Sequence, residues 1–465
     1  MKKKVTAIAL AVCILAVAVI GATMAYFTDT DSKTNTFTFG GVDIELTEKS
    51  EKDEQNKIHA GTEKNGGFTY DKVLPGLVYS KVPEVTVVEG PAWVVVTVTV
   101  PTIYDHPDFF NGTANERDFV MEKKVVGKNT VYYFYSKDAD GVAANTSLEL
   151  FEQIKINPAL TQNDVQNLPT FNVVVNAYGI QKEGFDNAQE AFAKAFADKL
   201  PTASVVIDGK AVGFDSMADA INAAPAGATV TLEKDLELAS DMTIAKDITL
   251  DGQGNAVISQ KTITVNAEKV TVKDLTYREP SNKNSNASCF YLRNGCKEFV
   301  IDGCTFENPQ WEVVQVTSKD IEKLMITNST FIASAVKAAA DDYYNKTDDQ
   351  ATRYIHVQPD AGDHVTMDIT ITGNTFKNLD KVNDSCVGIY FIEDGSTLTL
   401  GNNSFSDWAE GDVVNGVTDK LSVMWPEMTE LKPISKWTGS VQTITLQKGN
   451  SSDFSVPLPF GAGYA

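Results

Sequence analysis

The chain has 465 residues, with 62 Asp and Glu against 40 Lys and Arg, for a formal charge of −22. Such a length asks for two or three domains with filled cores. The acidity, with no basic cluster beyond the first few residues, excludes nucleic acid and anionic membranes as partners.

Met1-Lys2-Lys3-Lys4 precedes an almost wholly apolar run from Val5 to Ile20, then Gly21-Ala22-Thr23-Met24-Ala25. Basic, apolar and small, in that order, make a secretory signal over residues 1–25, with cleavage expected between Ala25 and Tyr26. Its removal takes three lysines and no acid, leaving an exported chain of charge −25 that works outside the cell or at its surface. Cys13 leaves with the leader, and Cys289, Cys296, Cys304 and Cys386 all fall in the second half. No CxxC pair marks a metal or redox centre, so buried thiols are expected.

From Asn35 to Leu46 apolar and polar residues alternate as in a half-buried strand. Thr47 to Gly67 is charged and turn-rich and reads as a surface loop. A Leu74-Pro75-Gly76 turn then leads into Val85–Val88 and the β-branched Trp93–Val100, with further strands expected at Val131–Tyr135 and Phe171–Ala177. Phe185, Ala188, Phe192, Ala195 and Phe196 suit one helical face, and Pro201 ends it, closing a first domain over residues 26–203.

The Ala25-Tyr26-Phe27-Thr28-Asp29 junction, the Phe37-Thr38-Phe39-Gly40-Gly41 stretch with Ile44 and Leu46, and the Leu74-Pro75-Gly76 turn resemble exported Gram-positive proteins of the TasA/camelysin type. The resemblance covers roughly residues 1–200. It implies a jelly-roll-like β-sandwich, processing by a SipW-type signal peptidase, and self-assembly in which the freed strand Tyr26-Phe27-Thr28-Asp29 enters a neighbouring subunit. An exposed sheet edge is a template for such a strand. Camelysin has also been regarded as a metalloprotease, but the His-Glu-x-x-His helix of a zincin is absent here. His59 and His106 read as solvated loop residues, and no cofactor or metal is expected, calcium being the one ion the acidity leaves open.

Beyond Asp208 an octet recurs: Val270–Tyr277, Phe299–Phe306, Leu324–Phe331, Ile369–Phe376 and Leu398–Phe405, with Ile248–Asn255 as a divergent first copy. Each is a short alternating strand, a Gly, Asn or Asp turn, then Thr or Ser and an aromatic. The aromatics at 277, 306, 331, 376 and 405 step by 29, 25, 45 and 29 residues. A second short strand lies between octets, at Cys289–Leu292, Val313–Val316, Tyr354–Val357 and Val387–Ile392. One such coil cannot bury its apolar face, whereas stacked coils align Val272, Ile301, Ile326, Ile371 and Leu400 into a continuous core. Phe214, Met217, Ala218 and Ile221 have the spacing of an amphipathic helix that caps the open end. The cap and octets resemble the pectate-lyase-like superfamily of right-handed parallel β-helices. The expected architecture is therefore all-β: a sandwich, a helix-capped β-helix over residues 204–435, and a C-terminal cap or tail over 436–465.

The 45-residue step holds an insertion, Ala335–Thr352, containing Asp341-Asp342 and Asp348-Asp349, followed by Arg353, His356, Asp360, Asp363 and His364. A β-helix lyase or hydrolase would draw on such acids and bases, making Asp341, Asp342, Arg353 and His356 the catalytic candidates. Neither a Gly-His-Gly nor an Arg-Ile-Lys signature accompanies them, so a solvated acidic loop is the preferred reading. Trp408, Trp425 and Trp437 gather near the end of the solenoid, where they would contact a polysaccharide or host glycan, or cap the last coil. The sequence thus points to a secreted bacterial surface or biofilm-matrix protein, the sandwich for assembly or anchoring and the β-helix for adhesion. A polysaccharide lyase or hydrolase, and a monomeric glycan-binding module, are the alternatives.

Overall fold

The computed structural model describes residues 28–31, 42–51, 57–64, 67–70, 73–161, 164, 171–280, 287–309, 312–333, 354–359, 365–378, 387–390, 395–406, 421–424, 432–434 and 440–445. The chain divides into two compact units, Met1–Lys199 and Leu200–Ala465. Both are built of strands, and no helix among the described residues is long and apolar enough to cross a membrane.

In the first unit the strands that matter here are β1 (Thr28–Asp31), β2 (Asp43–Lys49), β3 (Val82–Glu89), β4 (Ala92–Pro101), β5 (Phe119–Val126), β6 (Asn129–Ser136), β7 (Thr146–Glu149) and β8 (Val174–Gln181). One antiparallel sheet runs β1-β8-β4-β6-β5, and a second runs β7-β3-β2. Ile44, Val85 and Val87 from the second sheet share a core with Val94, Val96, Val98 and Phe134 from the first, which makes the unit a β-sandwich. The near-continuous apolar run of β4 follows from its central place, since it is buried on both faces. Its other face meets helix α1 (Ala188–Ala195), whose Phe192 packs 5.0 Å from the ring of Tyr178. The Asn187 side chain caps α1 by accepting from the Glu190 amide at 2.8 Å, and the Glu190 carboxylate accepts in turn from the Asp186 amide at 2.9 Å. The stretch expected as one long loop, Thr47–Gly67, is partly strand: β2 runs on to Lys49, and Thr62–Lys64 pairs antiparallel with Gly67–Thr69. Its charges mark a solvated surface, which a two-stranded ribbon also provides. Phe37 and Phe39 lie outside the described residues.

The second unit is a parallel β-helix of three sheets. In the first sheet Ala228–Leu232, Ile248–Asp251, Lys269–Lys273, Glu298–Asp302, Lys323–Thr327, Asp368–Thr372 and Thr397–Gly401 pair in parallel, one strand per coil. The second sheet collects Thr276–Arg278, Thr305–Glu307, Thr330–Ala333, Thr375–Asn378 and Ser404–Ser406, and the third collects Phe290–Leu292, Val314–Val316, Ile355–Val357 and Val387–Tyr390, each with further strands toward the N-terminal end. Each octet therefore wraps a corner. Its aromatic belongs to the second sheet, so a coil has three strands.

Chemistry at that corner explains the repeat. The fifth octet position takes positive φ in every copy from the second on: Asp274 at 49°, Gly303 at 66°, Asn328 at 52°, Gly373 at 71° and Asn402 at 52°. Only Gly, Asn and Asp tolerate that conformation cheaply, hence their recurrence. The sixth position points inward, and in later coils it forms a polar ladder. Asn374 Nδ2 donates to the Ile326 carbonyl at 2.8 Å, while the Ser329 and Asn374 amides donate to Asn374 Oδ1 and Asn403 Oδ1 at 2.9 Å each. At the eighth position Phe306, Phe331, Phe376 and Phe405 stack with centroids 5.2, 4.9 and 5.2 Å apart, close to the roughly 4.8 Å strand spacing. Cys289, Cys296 and Cys304 are buried thiols outside any disulfide, and Cys386 lies outside the described residues.

The helical cap is α2 (Met217–Ala223), with Met217, Ala220 and Ile221 in the β-helix core. Phe214, expected on the same helix, instead ends the hairpin Ala203–Ile207 and Lys210–Phe214, which turns at Asp208-Gly209 and pairs with the first coil. An Asp-Gly pair between alternating runs is the signal that marks it. At the other end, Gln442–Thr445 pairs antiparallel with Thr397–Gly401 of the first sheet, and Lys432–Ile434 with Leu421–Met424 of the third, so antiparallel strands cover the last parallel edges.

Candidate functional site

Two places bring together residues singled out in the sequence. The first is the segment that follows the expected cleavage point. Thr28 and Asp29, with Thr30 and Asp31, form β1, and pair with Ile180, Gly179, Tyr178 and Ala177 of β8. Among the described residues β1 is the terminal strand of its sheet, paired with β8 alone, so this segment covers the β8 edge and presents one of its own. Gly179 permits the close approach of the strand beneath: a Cβ there would stand 2.7 Å from Ile44 Cγ2 and 2.9 Å from Val42 Cγ1. Ala25, Tyr26 and Phe27 lie outside the described residues.

The second place is on the β-helix. His356, the one catalytic candidate among the described residues, sits mid-strand in the third sheet, in register with Gln315 of the preceding coil. Its Nδ1 lies 3.0 Å from Glu312 Oε1, and their side chains are only 13% and 6% exposed. Glu312 Oε2 is 3.2 Å from Ser288 Oγ, which is also 3.0 Å from Gln315 Oε1, so one hydroxyl proton serves both neighbours. Nearby, Cys289 Sγ lies 3.9 Å from Oε1 of the buried Glu279. Three successive coils are thereby tied through buried polar groups. The order is serine, acid, imidazole, with the carboxylate in the middle. Activating a serine requires the imidazole between hydroxyl and acid, so His356 does not stand where it would take the Ser288 proton. Asp341, Asp342 and Arg353 lie outside the described residues, as do Asp360, Asp363, His364, Trp408, Trp425 and Trp437. Glu312 was not singled out from sequence: its only signal is its place just before the Val313–Val316 strand.

The remaining histidines bear on metal chemistry. His59 is exposed on the short strand Ile58–His59, its ring 5.3 Å from that of Tyr79. His106 is no solvated loop residue: Nε2 contacts the Lys155 carbonyl at 3.0 Å and Nδ1 accepts from the Asp108 amide at 3.2 Å, so both nitrogens are engaged. Among the described residues no three His, Cys, Asp or Glu side chains are grouped to hold an ion.

No curated protein and no solved structure matches the chain. A family model described as camelysin metallo-endopeptidase matches residues 1–60, the stretch that contains β1 and β2. His59 is the single histidine of that stretch, and its surroundings do not fit a catalytic zinc site, which takes three protein ligands around an open position. The similarity to that family thus lies in the N-terminal segment, and it takes in the β1 edge.

Proposed function

We propose that this chain is an exported structural protein of a bacterial surface or extracellular matrix. Its sandwich assembles or anchors, and its β-helix serves adhesion through contact with a polysaccharide or host glycan. The observation that carries the reading is the position of β1 as the terminal strand of its sheet among the described residues, inside the camelysin-like segment and just after the expected leader. A SipW-type signal peptidase cutting between Ala25 and Tyr26 frees Tyr26–Asp31. A strand that closes its own sheet in one molecule then has the complementarity to close the same edge in the next, with backbone hydrogen bonds exchanged one for one.

The test compares mature protein beginning at Tyr26 with a form lacking Tyr26–Asp31, by light scattering and electron microscopy. The full mature chain is expected to form filaments or oligomers and the shortened one to remain monomeric; equal assembly by both overturns strand donation. A polysaccharide lyase or hydrolase remains the competing reading, because Glu312 and His356 form a buried acid–imidazole pair. Turnover of acidic or neutral polysaccharides, seen as new unsaturated or reducing ends and lost in His356→Gln, would favour it.

A further inference from the structure

The first full corner of the β-helix differs from the rest. Between Ile248–Asp251 and Ala256–Ile258 the chain carries two extra residues, so that Gln253 and Gly254 both take positive φ, 50° and 78°, where the next four corners have one such residue. The longer corner is fastened to the next coil, the Gly252 amide donating to the Lys273 carbonyl at 2.8 Å and the Gly254 amide to the Asp274 carbonyl at 2.7 Å. A shallow, solvent-open polar pocket of about 380 Å³ lies beside it, lined by Gln253, Gly254, Asp274, Thr276, Gly303 and Thr305 among others. That volume lies near the small end of ligand sites, about 300–1,000 Å³.

Each lining group has a definable role. Thr276 and Thr305 occupy one register position in successive coils, so their hydroxyls repeat at the strand spacing of about 4.8 Å. Asp274 has a side chain 58% exposed. Its nearest cation, Lys273, stands 3.9 Å away and is committed to Asp251 at 2.6 Å. A Cβ on Gly303 would come within 2.8 Å of Asp274 Oδ1, so glycine there leaves room for the carboxylate over the corner. Gln253 Nε2 donates to Asp251 Oδ2 at 2.9 Å, which fixes the amide. The pocket therefore offers one carboxylate, two hydroxyls and one anchored amide, without an aromatic platform among the residues named.

We infer that this corner is a binding subsite for a single neutral or amino-bearing sugar residue of a polysaccharide. A polyol matches a dense set of short donors and acceptors, whereas calcium requires six to eight oxygens and usually several carboxylates. Asp274 in a strongly acidic chain repels uronate and phosphate groups. The inference rests on the glycan-contact half of the proposed function and is independent of strand donation.

The test is saturation-transfer NMR on the mature chain, with glucose, galactose, N-acetylglucosamine, glucosamine and glucuronate as probes and calcium chloride alone as a separate arm. Transfer is expected to at least one neutral or amino sugar and not to glucuronate. The double variant Thr276→Val and Thr305→Val keeps β-branched residues in both strands and should lower the signal at least about tenfold, as removal of paired hydrogen bonds implies. Gln253→Gly, compatible with the positive φ, should also weaken it, and Asp274→Asn should reduce discrimination against glucuronate. Unchanged far-UV spectra and melting temperatures establish that these variants fold. Absence of transfer from all five sugars, calcium binding at Asp274 without sugar binding, or a signal undiminished in the double variant overturns the assignment. The last result would place any sugar contact elsewhere, for example on the stretch bearing Trp408, Trp425 and Trp437. Deleting Tyr26–Asp31 should leave the sugar signal intact, which separates failure of this site from failure of assembly.

Discussion

Glu298 shows how a single side chain is set by its place in the stack. Lys269, Glu298 and Lys323 are register partners in three successive coils, and the carboxylate bonds to both lysines, at 3.2 and 3.3 Å. Burial alone would raise its pKa, but hydrogen bonds and charge from the two lysines outweigh that and hold the carboxyl below its usual value. A depressed carboxyl pKa adds stability that is present above the ordinary carboxylate range and is lost as pH falls through the folded value. Glu298→Gln should therefore melt below the parent at pH 7 in low salt, and the gap should close as the pH is lowered past about 4, the ordinary carboxylate range. Added salt should narrow it too, because both lysines are about half exposed. A gap that stays constant with pH would assign the loss to packing. This column was legible in principle, since Lys269, Glu298, Lys323, Asp368 and Thr397 each precede an octet. The Glu312–His356 contact was not: it spans 44 residues across the insertion, and no spacing tells how much chain that insertion takes up before the strand resumes.

At the level of elements, the octet was readable because three of its positions have strict chemical demands. The fifth needs positive φ, the sixth and eighth face inward, and these demands repeat once per coil whatever happens in the loops. Short pieces without such demands were missed or misplaced, including the hairpin Ala203–Phe214 and the strands inside the expected Thr47–Gly67 loop. The aromatic column is where the repeat stores most of its packing. Phe331 is fully buried between Phe306 and Phe376, with near-parallel rings at 17° and 13°. Phe331→Ala should cost about 3–5 kcal/mol, since close neighbours above and below limit collapse into the cavity. Phe331→Leu, which keeps much of the volume, should cost less. Urea unfolding followed by circular dichroism measures both, and a loss below about 1 kcal/mol for the alanine variant would mean that the stack relaxes freely.

For the molecule as a whole, the decisive fact is that each unit has a core of its own. Among the described residues one core runs from Val42 to Ala177, the other from Ala203 to Leu400, and no residue is common to the two. The units also differ in kind. The sandwich depends on strands far apart in sequence, such as β1 on β8, whereas each coil of the β-helix contacts its neighbours, so its stability is a sum of coil and interface terms. Separate cores with different dependence on sequence distance should unfold as separate cooperative events. Calorimetry of the mature chain is expected to show two transitions. Phe331→Ala should lower one and leave the other in place, and Val96→Ala, at a fully buried position in the centre of β4, should do the reverse. Expressed alone, residues 200–465 should reproduce the transition that Phe331→Ala moves, and residues 26–199 the other. If either substitution shifts both transitions equally, the chain unfolds as one unit, and an exported strand could not be exchanged at the sandwich edge without disturbing the β-helix it carries.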